Sequence, residues 1–235
     1  GHDCLVASTY GAIEYEAFGG QALFFDDGPP NSGAPVIRSR EDVLALTPPD
    51  PLRVPLLRDA LEIVRGLAEA AEGEVPVMGT AISPFSIPVM LMSFEGYLNL
   101  MHDDVEAFEH LMRVTTRFCI DWANAQFAAG ATAVAYYDPL SATDLIEESL
   151  WRRTGQVVAR QALAAFKGPA ALHLASGRAL GRIDAYAKMG AAGLGVSCMD
   201  DLAELKRQCA GRLALVGNLN GIRMTTWTTA QATDE

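Results

Sequence analysis

Short apolar runs alternate along this chain with longer segments of helical period, the order produced when parallel strands are joined by crossover helices. The runs cover residues 4–8, 75–81, 132–137, 169–174, 193–198 and 213–217. Several are continuously apolar, as strands buried on both faces should be. The pattern predicts one α/β domain over residues 1–235, a (β/α)8 TIM-type barrel. A closed barrel of eight strands takes about 250 residues. Six runs are found, the first begins close to Gly1, and residues 225–235 read as the capped start of a helix, so the expectation is a barrel incomplete at both ends.

The clearest helix follows Asp103 and Asp104, whose carboxylates can accept from free backbone N–H groups, and carries Phe108, Met112, Thr115, Cys119 and Trp122 on the way to Gly130. Similar reasoning places helices near residues 55–71, 146–166, 178–189 and 200–209. Between Gly28 and Pro51 stand six prolines among turn residues, which predicts an ordered excursion over one end of the barrel.

Charge narrows the partners. With 29 acidic against 18 basic residues, a formal charge of −11 repels phosphate backbones and anionic lipid, which argues against nucleic acid and membrane partners. The most apolar stretch, residues 87–94, is far short of the ~20 residues a membrane span needs. Cys4, Cys119, Cys198 and Cys209 are too few and too irregular for a disulfide framework, and the amino terminus lacks a basic region followed by an apolar run. These features point to a reducing cytoplasm.

In a parallel barrel, residues just past the carboxyl ends of the strands converge on one mouth. Candidates for that position are Asp3 beside the first strand, Phe85 in the turn after the second, Asp138 after the third, His173, Cys198 and Asn218. A strand-end histidine binds zinc, moves a proton, or is simply buried against a carbonyl, and spacing does not choose among these for His173. Cys198 is a metal ligand or a small core residue. Asp138 precedes Pro139, which directs the backbone out of the strand and is expected to leave the carboxylate at the mouth. Phe85 and Met90 are the candidate cofactor contacts, although methionines such as Met78, Met90 and Met112 equally suit core filling.

Five motifs then fall in an order that resembles the uroporphyrinogen decarboxylase superfamily, over nearly the whole chain. Asp3 followed by Glu14, Glu16, Ala17, Phe18 and Gly19 resembles the acidic-Ala-Leu-Gly segment of methylcobamide:coenzyme M methyltransferases. Gly79 with Ser83-Pro84-Phe85-Ser86 resembles the family's Gly-Pro-Phe-Thr turn, and Phe94-Glu95-Gly96 its downstream Glu-Gly. Gly130-Ala131-Thr132 through Asp138-Pro139 is similar to its Gly-Ala-Asp to Asp-Pro stretch. Val216-Gly217-Asn218-Leu219-Asn220 is similar to its Gly-Asn-(Leu/Val)-Asp-Pro signature, with Asn220 in place of Asp and Gly221 in place of Pro.

Within that superfamily the departures favour the methyltransferase branch: Met90 stands where the decarboxylases have tyrosine, and Pro139 where they have serine. The resemblance implies methyl transfer between a corrinoid (cobalamin) carried by a partner corrinoid protein and a small acceptor such as a thiol or a folate. Asp3, Asp138, His173 and Asn218 are then expected to line the pocket. It also implies zinc held by a His-x-Cys pair and a later cysteine. His173 matches the histidine, Ala175 takes the first cysteine's place, Cys198 is the candidate substitute, and the later cysteine's position is expected beyond Glu235. A decarboxylase-like lyase anchored by Asp3, and a binding barrel without catalysis, are the alternatives.

Overall fold

A computed structural model of the chain describes residues 3–7 and 10–234. Its centre is a parallel sheet of six strands, β1 (Leu5–Val6), β2 (Val77–Ile82), β3 (Ala133–Tyr137), β4 (Ala170–His173), β5 (Gly193–Gly195) and β6 (Ala214–Val216), in the order β1-β2-β3-β4-β5-β6. The sheet curls into a half-barrel; the described residues supply six strands and not a closed ring of eight. All six expected strands exist, each with fewer residues than expected although β2 runs one residue further, to Ile82, and Ser8 lies outside the described residues.

The helices are α1 (Ile13–Ala17), α2 (Arg40–Ala45), α3 (Pro55–Ala71), α4 (Pro88–Met92), α5 (Phe94–Asp103), α6 (Val105–Ala128), α7 (Glu148–Arg153), α8 (Gly155–Ala165), α9 (Ile183–Ala187), α10 (Leu202–Cys209), α11 (Gly221–Met224) and α12 (Thr229–Asp234). Proline at the first position starts α3, and Leu57, Ala60, Leu61 and Val64 make its buried stripe at helical spacing. Asp104 caps α6 by accepting from the Ala107 N–H at 3.0 Å, while Asp103 ends α5. Gly130, at φ +112, then turns the chain into β3. Among the described residues no helix is long and apolar enough to cross a membrane.

Two expected helices come out differently. The stretch 146–166 divides at Thr154, whose hydroxyl donates to the Leu150 carbonyl at 2.6 Å. At that division a Cβ on Gly155 would stand 2.7 Å from the Phe85 ring, so the chain passes there only without a side chain. The stretch 178–189 keeps only α9, because Gly181 at φ +99 and the buried Arg182 hold the preceding residues in a turn. The proline-rich excursion contains α2, closed by a reciprocal Ser39–Asp42 capping box, and the Val36 and Ile37 amides tie it to the Leu91 carbonyl.

Register decides which residues share a face. Ile82 pairs with Tyr137, Tyr137 with His173, His173 with Gly195 and Gly195 with Val216, giving one row across the carboxyl ends on the concave face. Because strand side chains alternate, the next row of Ser83, Asp138, Leu174 and Val196 turns the other way, into the layer between sheet and helices.

Candidate functional site

At the carboxyl end of β1, β2 and β3 lies a cavity of about 480 Å³, a volume suited to a small organic molecule. Its wall is mostly apolar, and the polar residues lining it are Tyr10, Glu14, Thr80, Ser86 and Tyr137. Met90 and Pro139 both stand in it, so two positions that looked unrelated in sequence share one surface. No lysine, arginine or histidine lines it among the described residues.

Glu14 is the unusual member. It lies on α1 and is 2 % exposed, with Oε1 accepting from the Ile82 N–H at 2.8 Å. Oε2 has no hydrogen-bond partner. Burial pushes the carboxyl up to about 8, although the Ile82 amide and the facing Trp122 indole both favour its charged form. The indole Nε1 does not reach hydrogen-bond geometry and is itself unpartnered. Neighbouring Glu16 behaves differently: it accepts from the Ala22 N–H and from the Tyr10 hydroxyl. Burial first and Glu16 second raise that phenol to about 12.

The residues singled out from sequence are distributed as follows. His173 lies half-buried at the end of β4, its ring centroid 4.7 Å from that of Tyr137. Its Nδ1 accepts from the Ala175 N–H at 3.0 Å, which puts the ring proton on Nε2, and desolvation lowers its pKa below the ordinary 6.5. Ala175, in the left-handed region at φ +54, reaches the cavity wall.

Asp138 does not stand at the mouth. It is fully buried in the outward row, where Oδ1 accepts from Ser83 Oγ at 2.7 Å and Ser86 Oγ at 2.8 Å, and Oδ2 from Ser141 Oγ. Burial raises its pKa despite those hydroxyls, and it ties the β2 turn to the end of β3. Phe85 is likewise buried rather than available to a cofactor, packed edge-on against Tyr97 with centroids 5.9 Å apart, whereas Met90 does line the cavity.

Asp3 lies at the opposite end of the sheet. Leu5 pairs with Val77, so a residue preceding β1 belongs to the amino ends of the strands, and Asp3 is exposed there. The segment past the carboxyl end of β1 brings Tyr10 and Glu14 to the mouth instead. Asn218 spends its amide hydrogens on the carbonyls of Ser197 and Asp200, both at 3.0 Å, stitching the loop after β6 to the loop after β5. Cys198 is exposed in that second loop. Sequence reading passed over Glu14 as a site residue; the available signal was an acid flanked by Ile13 and Tyr15 within a short apolar turn.

Zinc does not fit the donors present. No group of three or more His, Cys, Asp or Glu side chains is disposed to hold a metal among the described residues. The Nδ1 lone pair of His173 is already occupied by a backbone N–H, and Ala175 offers no thiolate.

Comparison with known proteins agrees with this architecture. The methylcobamide:CoM methyltransferase MtaA of Methanosarcina barkeri is 29% identical over 169 residues, covering 72% of this chain and 49% of that protein. The uroporphyrinogen decarboxylase of Cupriavidus necator is 26% identical over 215 residues, covering 86% of this chain and 58% of its own length. The chain thus spans about half the length of these curated relatives. Among solved structures, a methyltransferase from Methanosarcina mazei superposes with a TM-score of 0.78 at 20% identity, over 92% of this chain and 64% of that one, which shows a shared fold. The uroporphyrinogen decarboxylase (URO-D) family profile matches residues 1–235, and the chain belongs to that family.

Proposed function

We propose that the protein is a corrinoid-dependent methyltransferase of the URO-D family, moving a methyl group between a corrinoid held by a partner protein and a small acceptor in the cavity beneath the β1–β3 ends. One observation carries the choice of branch: the cavity wall is apolar, includes Met90 and Pro139, and offers no cation among the described residues. Decarboxylating a porphyrinogen that bears many carboxylates calls for cationic groups against them. A methyl group and a small acceptor need a dry apolar enclosure instead.

The methylated corrinoid supplies an electrophilic methyl carbon. The chain's own residues hold the acceptor among Ile82, Met90 and Leu140 and limit water. His173, neutral and protonated on Nε2, stands at the strand end next to Tyr137 as a hydrogen-bond donor.

The test uses the complete protein with methylcobalamin and a panel of thiols and folates, following loss of the cobalt–methyl bond in the visible spectrum, alongside uroporphyrinogen scored for carboxyl loss. Methyl transfer is expected. Porphyrinogen turnover at an enzymatic rate, with no demethylation of the corrinoid, would reverse the choice in favour of the lyase.

A further inference from the structure

The imidazole of His173 is held on three sides. On the β3 side its ring centroid stands 4.7 Å from that of Tyr137. On the β5 side a Cβ at Gly195 would come 2.6 Å from Cδ2, so the ring rests where a glycine leaves room. Past the end of β4 the Ala175 N–H donates to Nδ1 at 3.0 Å. Ala175 reaches that position from the left-handed region at φ +54, inside a turn that the Gly177 N–H closes on the Leu174 carbonyl at 2.9 Å. Residues other than glycine seldom adopt this conformation, and they keep it where the surrounding structure fixes it.

These contacts close both ring nitrogens to a metal. A neutral imidazole carries one hydrogen. With Nδ1 accepting, that hydrogen sits on Nε2, which then has no lone pair to give. Moving it to Nδ1 would set two N–H groups head to head, and turning the ring over would put Cδ2 in front of the Ala175 amide. Either route breaks the hydrogen bond that orders the turn after β4. At 175, where the resemblance expects a thiolate, a methyl group lines the cavity instead.

What the ring keeps is one free donor. Among the described residues Nε2 has no hydrogen-bond partner, and the side chain is only half-buried, so this N–H is open from the concave side. Tyr137 and Ala175, which bound the ring on two sides, both belong to the cavity wall. A guest extending from that cavity over the end of β4 meets the N–H there. Resting on the methyl-transfer reading for the guest, we propose that His173 is a fixed hydrogen-bond donor to an oxygen or sulfur lone pair of an uncharged small molecule, and not a ligand of zinc.

The test uses the complete protein with isotopically labelled histidine. A long-range proton–nitrogen spectrum locates the ring hydrogen before and after addition of zinc chloride. Zinc is then counted by elemental analysis in the wild type, His173→Gln and His173→Ala, with melting to confirm folding. Glutamine places an amide N–H near the position of Nε2 and is a poor zinc ligand, so it separates a donor from a metal site. The hydrogen is expected on Nε2, both ring nitrogens unmoved by zinc chloride, and the zinc content equal in all three proteins. The methylcobalamin rate with the thiol and folate panel should stay near the wild-type value in His173→Gln and fall about tenfold in His173→Ala, the loss of one hydrogen bond. Zinc present in the wild type and lost from both variants, or ring nitrogens displaced by zinc chloride, would overturn the proposal, as would an undiminished rate in His173→Ala. If neither variant folds, the wild-type spectrum decides: a hydrogen on Nδ1 overturns the assignment, and one on Nε2 that zinc leaves in place supports it. Should none of the three proteins demethylate methylcobalamin, the methyl-transfer reading falls, while the spectrum and the zinc counts still decide whether His173 is a ligand.

Discussion

Replacing Glu14 by glutamine should change the slope of stability with pH, in a direction fixed by the structure. In the unfolded chain this carboxyl ionises near 4.5; in the folded protein it holds its proton to about 8. Its stabilising contribution is therefore complete below the unfolded value and is lost as pH rises from 4.5 through about 8. Each unit of separation corresponds to about 1.4 kcal/mol, so the span of roughly 3.5 units amounts to about 5 kcal/mol. Glutamine is uncharged throughout and keeps the Ile82 contact, so the variant should gain on the wild type across that interval. Asp138 is also raised, but it is present in both proteins and cancels in the difference. For a chain of this size, 5 kcal/mol is a shift of about 10–20 °C in Tm. Urea or thermal unfolding of both proteins at intervals from about pH 5 to pH 9 measures it. Parallel stability curves would refute a protonated, buried Glu14.

Two further outcomes test other parts of the site. Asp138→Ala removes the common acceptor of Ser83, Ser86 and Ser141 and should cost roughly 3–5 kcal/mol in urea unfolding, since each stranded hydroxyl costs about 1–3 and such losses do not add fully; a loss below about 1 kcal/mol would contradict the knot described. Gly195→Ala places a Cβ 2.6 Å from Cδ2 of His173, so the imidazole must leave its contact with Tyr137 at a cost of about 1–3 kcal/mol. Unchanged His173 resonances in the NMR spectrum of that variant would show the register to be wrong.

The sequence by itself determined the strands and their parallel arrangement. Apolar runs of strand length, separated by stretches with helical period, leave few other ways to bury both faces of each strand, and β1 to β6 appear in sequence order. It also located the cap of α6, because the Asp104 side chain needs only an amide three residues away. The placement of Asp3 failed for a reason of direction: the mouth lies after a strand, and Asp3 precedes one. Asp138 failed by one residue of alternation, since Tyr137 shares the inner row with His173 and its neighbour shares the outer row with Leu174. What only the tertiary structure decided is the environment of the acids. Asp138 is surrounded by hydroxyls 55 and 52 residues earlier and three later, and Glu14 becomes a neutral acid because an amide 68 residues away and a helix wall close over it. Burial and partnering set a carboxyl's proton affinity, and both depend on contacts distant in sequence that no local pattern of residues encodes.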